Sequence, residues 1–368
     1  VNDRYVDKNY GGILMLWDHL FGTFEPEDPA EPCVYGTRSP LNSWDPLWAN
    51  AEVYAALAQE SWRTQRWGDK LRVWLQPPGW RPADVAARWP KPTFDIARVQ
   101  TYAPPVSRPV VLAGAGLFAA LLAGVAAFLW QADTAPLVHN AAGFAVLLAG
   151  VWALGALLQG RLSIDEALFI VCGALAMATS VFGWTDAHRV FKPLAMLVAL
   201  ARVLRVPPAQ ATVGRGWLLA ALAGSLAGDV FLMFEGFFVP GLVAFLLAHG
   251  AYIARLRQDA PWLASRCAVL GVVAVGLAVY AVLWTGGLPP ALQLPVALYV
   301  SAIGLMAAQA FGRAAVLRDR PARLVAAGAA CFMLSDTLLA INRFVTPLPA
   351  SALWVLGSYY AAQGLLVM

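Results

Sequence analysis

From residue 110 to the C-terminus the sequence is a train of Ala-, Leu-, Val- and Gly-rich runs separated by short loops that carry arginine. A helix crossing ~30 Å of hydrocarbon needs about 17–25 apolar residues, and in lipid only a helix satisfies the backbone of such a run within itself. Runs of this kind fall near residues 110–130, 137–159, 166–184, 190–205, 216–234, 237–256, 267–285, 294–311, 323–341 and 350–368. The expected fold class is therefore all-α, a polytopic transmembrane helical bundle of about ten spans. Composition agrees: 60% of residues are hydrophobic and 13% charged, more apolar surface than a single aqueous core takes up. The apolarity is uneven, because residues 1–109 hold most of the charged, Trp-rich and Pro-rich sequence and read as a non-membrane segment. Its tryptophans at Trp44, Trp48, Trp62, Trp67, Trp74, Trp80 and Trp89 suit a surface at headgroup level or, equally, the core of a small soluble subdomain.

The arginines give the spans a direction. With residues 60–109 on the cytoplasmic side, the inside loops hold Arg161, Arg202, Arg205, Arg215, Arg255, Arg257, Arg266, Arg313, Arg318, Arg320 and Arg323, and the outside loops only Arg189 and Arg343. That asymmetry follows the positive-inside rule with both ends cytoplasmic. Ala-rich sequence with Arg favoured over Lys points to a bacterial inner membrane. The spacing of Gly224 and Gly228 lets helices approach closely in lipid. Cys33, Cys172, Cys267 and Cys331 show no CxxC spacing and read as small apolar residues. The basic residues flank apolar runs instead of clustering with exposed aromatics, so nucleic acid is not an expected partner. The chain opens on Val1 in polar, turn-rich sequence without a signal-peptide pattern, and a fragment is the expectation. The sequence assigns no oligomeric state.

Charged groups within a bilayer cost ~2.5–3.5 kcal/mol each even on insertion scales, which makes them functional candidates. Asp229 in AGSLAGDVFLMFEG and Asp336 in CFMLSDTLLAINRF stand out, with Lys192 opening KPLAMLVAL. His249, Tyr252, Tyr299, Asn342, Tyr360 and Gln363 are the supporting polar candidates, and Tyr359 lies beside Tyr360. Both aspartates are expected about five residues from the outer ends of their helices, ~7–8 Å deep at 1.5 Å per residue, with Lys192 and Tyr299 near that level. One shared cavity is the expectation. An inert Lys192–Asp pair is the plain structural alternative, and it leaves the second aspartate unexplained.

Five strings, in order, carry a resemblance: KPLAML, GDVFLM, the Gly241–Leu242–Phe245–His249–Tyr252 spacing, SDTLLAINRF and YYAAQGLL. Over residues ~166–368 the chain resembles the YhhN-type lysoplasmalogenases. The resemblance implies eight helices, an ether hydrolase acting on the vinyl ether bond of lysoplasmalogens, and Asp229 and Asp336 as essential acids, with no cofactor and no metal. Lysophospholipid and the bilayer are the implied partners. A proton-coupled transporter that titrates the same aspartates is the alternative, though no half-to-half repeat accompanies it.

The N-terminal strings DKNYGG and WDxxFGTF (Asp7 to Gly12; Trp17, Asp18, Phe21 to Phe24), with YGTRSPLNSWDPLWAN after them, resemble the tail of the fatty acid hydroxylase/sterol desaturase superfamily, its alkylglycerol-monooxygenase-like members especially. The expected domains are a hydroxylase-like remnant at 1–109, two helices belonging to it at 110–160, and the eight-helix domain at 166–368. That superfamily holds two irons through histidine boxes. His19, His139, His188 and His249 are the four histidines of this chain and none has that spacing, so a di-iron centre, and an ether-lipid oxidoreductase as a further alternative, would require sequence upstream of Val1.

Overall fold

The structure, a computed structural model, describes residues 2–36, 39–77, 79–92, 94–207 and 213–367; Thr37 and Arg38 of the YGTRSP string lie outside them. Among the described residues it is all-helical, with fourteen α-helices and no β-strand. The chain divides into two compact units, Val1–Val106 and Ser107–Met368.

In the first unit the DKNYGG and WDxxFGTF strings fold around one carboxylate. Asp18, on α1 (Leu16–Phe21), is buried and accepts from the backbone N–H of Tyr10 (2.8 Å) and Gly11 (2.7 Å) and from the Thr23 hydroxyl (2.7 Å). A Cβ at Gly11 would stand 2.6 Å from the Leu14 carbonyl oxygen and 2.7 Å from Asp18 Oδ2, so only glycine fits that approach. Helix α2 (Pro46–Arg63) starts on Asp45, whose carboxylate accepts from Leu47 and Trp48 N–H, with proline in its first turn. Helices α3 (Trp67–Leu75) and α4 (Ala83–Arg88) follow, and Asp84 accepts from the Thr64 hydroxyl and the Gln65 N–H. The buried apolar residues here are Val73 and Val85, whereas Trp44, Trp48, Trp62, Trp67 and Trp74 are exposed. Those five indoles form no core, and Trp80 and Trp89 are half-buried.

Each of the ten apolar runs lies on one helix of the second unit: α5 (Arg108–Gln131), α6 (Leu137–Leu158), α7 (Ile164–Val181), α8 (Thr185–Arg205), α9 (Arg215–Phe231), α10 (Phe238–Leu256), α11 (Arg266–Thr285), α12 (Pro290–Leu317), α13 (Arg320–Phe344) and α14 (Ser351–Val367). Seven of them, α5 to α7 and α10 to α13, are long and apolar enough to cross a membrane. Helices α9 and α14 have 17 residues each, and α8 carries Asp186, Arg189, Lys192, Arg202 and Arg205. Helix α8 also begins five residues before the expected 190, because Thr185 to Arg189 join the helix instead of forming a loop.

Neighbouring contacts run α7–α8–α9–α10–α12–α13–α14 and back to α7, a closed ring of seven helices. Helix α11 packs outside it on α12 and α13, while α5 and α6 extend from α7. Close approach is built into α9 and α10: a Cβ at Gly228 would meet the Phe245 ring at 2.5 Å, and one at Gly224 would stand 3.1 Å from Ala248 Cβ. The expected close approach at these two glycines is present. At one end of the ring, arginines clamp helices together. Arg202 pairs with Glu166 at 2.8 Å and donates to Ser163, whose hydroxyl caps α7 in a capping box with Glu166, and Arg205 pairs with Asp165. Arg313 forks onto Asp259 through Nε (2.6 Å) and Nη2 (2.7 Å).

Candidate active site

At the other end, a cavity of about 290 Å³ opens among the helices. It is lined by the C-terminal parts of α7, α9, α11 and α13 and the N-terminal parts of α8, α10, α12 and α14, as alternating helix directions require. Its charged and phenolic groups come from five helices. Lys192 Nζ on α8 lies 3.2 Å from Asp229 Oδ1 on α9, and the Tyr359 hydroxyl of α14 donates to Asp229 Oδ2 at 2.5 Å. On α13 Asp336 accepts from the Tyr299 hydroxyl of α12 at 2.5 Å, with no cation in ion-pair range among the described residues. Two carboxylates, Asp229 buried and Asp336 half-buried, thus share one space and differ in their partners: one is held by an ammonium and a phenol, the other by a phenol alone.

The aspartates are not at the expected common depth along their helices. Asp229 stands two residues before the end of α9 and Asp336 eight before the end of α13, ~3 and ~12 Å along the axes. They meet in one cavity because α13 runs farther past that level than the apolar pattern indicates. Asn342 also lines the cavity, and its Oδ1 accepts from the Leu348 N–H at 2.8 Å, fixing the α13–α14 turn.

Four candidates lie outside the lining. The Tyr252 hydroxyl donates to Gln363 Oε1 at 2.6 Å, tying α10 to α14 across the core. The Tyr360 ring packs edge-on to Phe169 and against Gly173. His249 stands behind the wall, its ring edge-on to Tyr299 and to Phe332 with centroids 5.2 and 4.8 Å apart. The lining takes in Tyr359, noted in the sequence only as the neighbour of Tyr360, and adds residues not singled out there as site candidates: His188, whose Nδ1 donates to the Ala176 carbonyl at 2.9 Å, Ser180, Ser335 and Arg343. His188 and Arg343 fall outside the apolar runs, and the longer α8 and α13 bring them onto the wall.

The rest of the lining is apolar. Leu232, Leu242 and Phe245 face the carboxylates' side, and an arm walled by Val275, Val279, Leu283, Val296 and Val300 reaches toward α11. Among the described residues no three His, Cys, Asp or Glu side chains gather as metal ligands would, so this chain's own residues do not fit the di-iron set of the hydroxylase superfamily.

The YhhN family model matches residues 187–368. The lysoplasmalogenase of Mycobacterium tuberculosis (strain CDC 1551 / Oshkosh) is 33% identical over 228 residues, covering 59% of this chain and 82% of its own. The chain belongs to the YhhN family. Human lysoplasmalogenase TMEM86A is 34% identical over 169 residues, 42% of this chain and 69% of its own. Human alkylglycerol monooxygenase is 38% identical over 81 residues, 22% of this chain and 18% of its own, so the chain spans less than a fifth of that relative's length. No solved structure matches. The region matched by the YhhN model contributes every polar lining group described above except Ser180. With seven membrane-compatible helices and this family membership, the protein is an integral, multi-pass membrane protein.

Proposed function

We propose that this chain hydrolyses the vinyl ether bond of lysoplasmalogens, releasing a fatty aldehyde and a glycerophospho-base. The observation that carries the reading is the unequal pair of carboxylates in one amphiphilic cavity, and the lysoplasmalogenases among its relatives support it. Vinyl ether hydrolysis begins with protonation of the β-carbon, which leaves an oxocarbenium ion. Asp336, without a cation beside it, is the proton donor, and Tyr299 orients its carboxyl. Asp229, paired with Lys192, faces the developing positive charge and aligns the attacking water, from which it takes a proton. The hemiacetal then collapses, its hydroxyl proton leaving as the glycerol oxygen departs protonated, and Asp336 recovers its proton from Asp229 through water. Proton transfers and one water suffice, so the reaction as proposed needs no metal or organic cofactor.

The apolar arm suits the alkenyl chain, and the polar wall suits the glycerol end. In our reading all ten helices of the second unit span the bacterial inner membrane, both ends are cytoplasmic, and the cavity opens toward the outer leaflet. We read residues 1–160 as a hydroxylase-like tail fused ahead of the hydrolase, a reading that the alkylglycerol monooxygenase match supports over 81 residues. The test is aldehyde release from 1-alkenyl-lysophosphatidylethanolamine by detergent-purified protein. Asp229→Asn and Asp336→Asn should each lose ~10²–10⁴-fold in rate, the span of a general acid or base. Full activity in either variant would remove the reading.

A further inference from the structure

The chemistry at Asp229 and Asp336 needs only the vinyl ether, yet the cavity wall carries one more charged group that it does not use. Arg343 lies on α13 seven residues after Asp336, two helical turns on and on the same face, and both line the cavity. Its guanidinium sits over the Phe238 ring at 4.1 Å from the centroid, with Phe344 on another side at 5.8 Å. Among the described residues no carboxylate is within ion-pair range of it. An arginine stacked on an aromatic face is held in place while its N–H edge stays free, the arrangement that binds phosphate bidentately.

We propose that Arg343 binds the phosphodiester of the substrate and so sets the preference for phospholipid over neutral ether lipid; the proposal rests on the hydrolase reading above. The dimensions agree. Asp336 and Arg343 are about 10 Å apart along the helix axis at 1.5 Å per residue. In an extended lysoplasmalogen, seven bonds separate the vinyl β-carbon from phosphorus, ~8 Å at the ~1.2 Å per bond of an extended chain. A carbon at the Asp336 carboxyl therefore puts the phosphate within reach of the guanidinium.

The test compares 1-alkenyl-lysophosphatidylcholine with 1-alkenylglycerol, which lacks the phosphate, in wild-type protein, Arg343→Gln and Arg343→Lys. Arg343→Gln should lower kcat/KM for the phospholipid roughly 10- to 100-fold, mainly through KM, as for a lost charge-assisted hydrogen bond. The penalty with the neutral substrate should be small by comparison, and Arg343→Lys should restore part of the difference. Equal losses on both substrates, or none on either, overturn the proposal. A binding arm separates it from the hydrolase reading. Should wild-type protein release no aldehyde from either compound, the reaction is wrong, and the subsite is still decided by whether Arg343→Gln abolishes the thermal shift given by 1-O-alkyl-lysophosphatidylcholine but not that given by 1-O-alkylglycerol. Inorganic phosphate alone should shift wild-type protein little; a shift equal to that of the lysolipid overturns the assignment to a lipid headgroup.

Discussion

Replacing Lys192 with methionine removes the one cation paired with Asp229 among the described residues and leaves its shape nearly filled. The pair is 3.2 Å apart, with side chains 10% and 3% exposed. At that separation the attraction is ~5 kcal/mol at an effective dielectric constant of 20. Removing one partner of a buried pair destabilises by about 3–5 kcal/mol, because the remaining charge is stranded, whereas removing both is close to neutral. Lys192→Met should therefore lower the melting temperature in detergent by roughly 6–20 °C, taking ~2–4 °C per kcal/mol for a domain near this size. The double variant Lys192→Met/Asp229→Asn should recover most of that loss while remaining catalytically inactive. Thermal unfolding of the four proteins in one detergent closes the cycle. A Lys192→Met protein that melts within a few degrees of wild type, together with no recovery in the double variant, would refute the buried pair and with it the distinction between the two aspartates.

Two further outcomes follow from other parts of the fold. The hydrogen bonds from Arg313, foremost, hold the Asp259 carboxyl below its ordinary value of 3.8, with Arg255 assisting. Folded protein thus binds fewer protons there than unfolded protein, so this stabilisation is complete above the unfolded value and is lost as pH falls through the folded one. Melting temperature measured from pH 6 down to 3 should fall less steeply in Asp259→Asn, and identical slopes would contradict the assignment. At Gly228, alanine would place a methyl 2.5 Å from the Phe245 ring, which lines the cavity. Gly228→Ala should cost ~1–3 kcal/mol of stability by overpacking and also reduce aldehyde release, checked by melting and turnover on the same preparation.

The helices were legible in the sequence because lipid demands long apolar runs, and each of the ten runs is a helix. Their ends were less so. The polar starts and ends of α8 and α13 read as loop by hydropathy, so His188 and Arg343 were placed outside the helices that carry them to the cavity. The two aspartates and Lys192 could be picked out because charge is rare in such sequence, and the structure brings them together with Tyr299. Side-chain direction was the harder matter. Tyr359 and Tyr360 are consecutive, ~100° apart around α14, and that helix is apolar on all sides, so nothing in its pattern says which tyrosine meets Asp229. The structure gives the contact to Tyr359 and turns Tyr360 toward α7. Tyr252 and Gln363 drew notice as intramembrane polar groups and satisfy one another, which a sequence of separate helices does not disclose.

The arginine clamps have a consequence for how lipid enters. Arg202, Arg205 and Arg313 rivet α7 to α8 and α12 to the α10–α11 turn, all at the end away from the cavity. At the cavity end the ties between helices are made by the residues of the site itself: Lys192 to Asp229 joins α8 to α9, Tyr359 to Asp229 joins α14 to α9, and Tyr299 to Asp336 joins α12 to α13. A lipid that enters at the cavity end therefore meets helices held by the very groups that line the site, while the riveted end is fastened by residues that take no part in it.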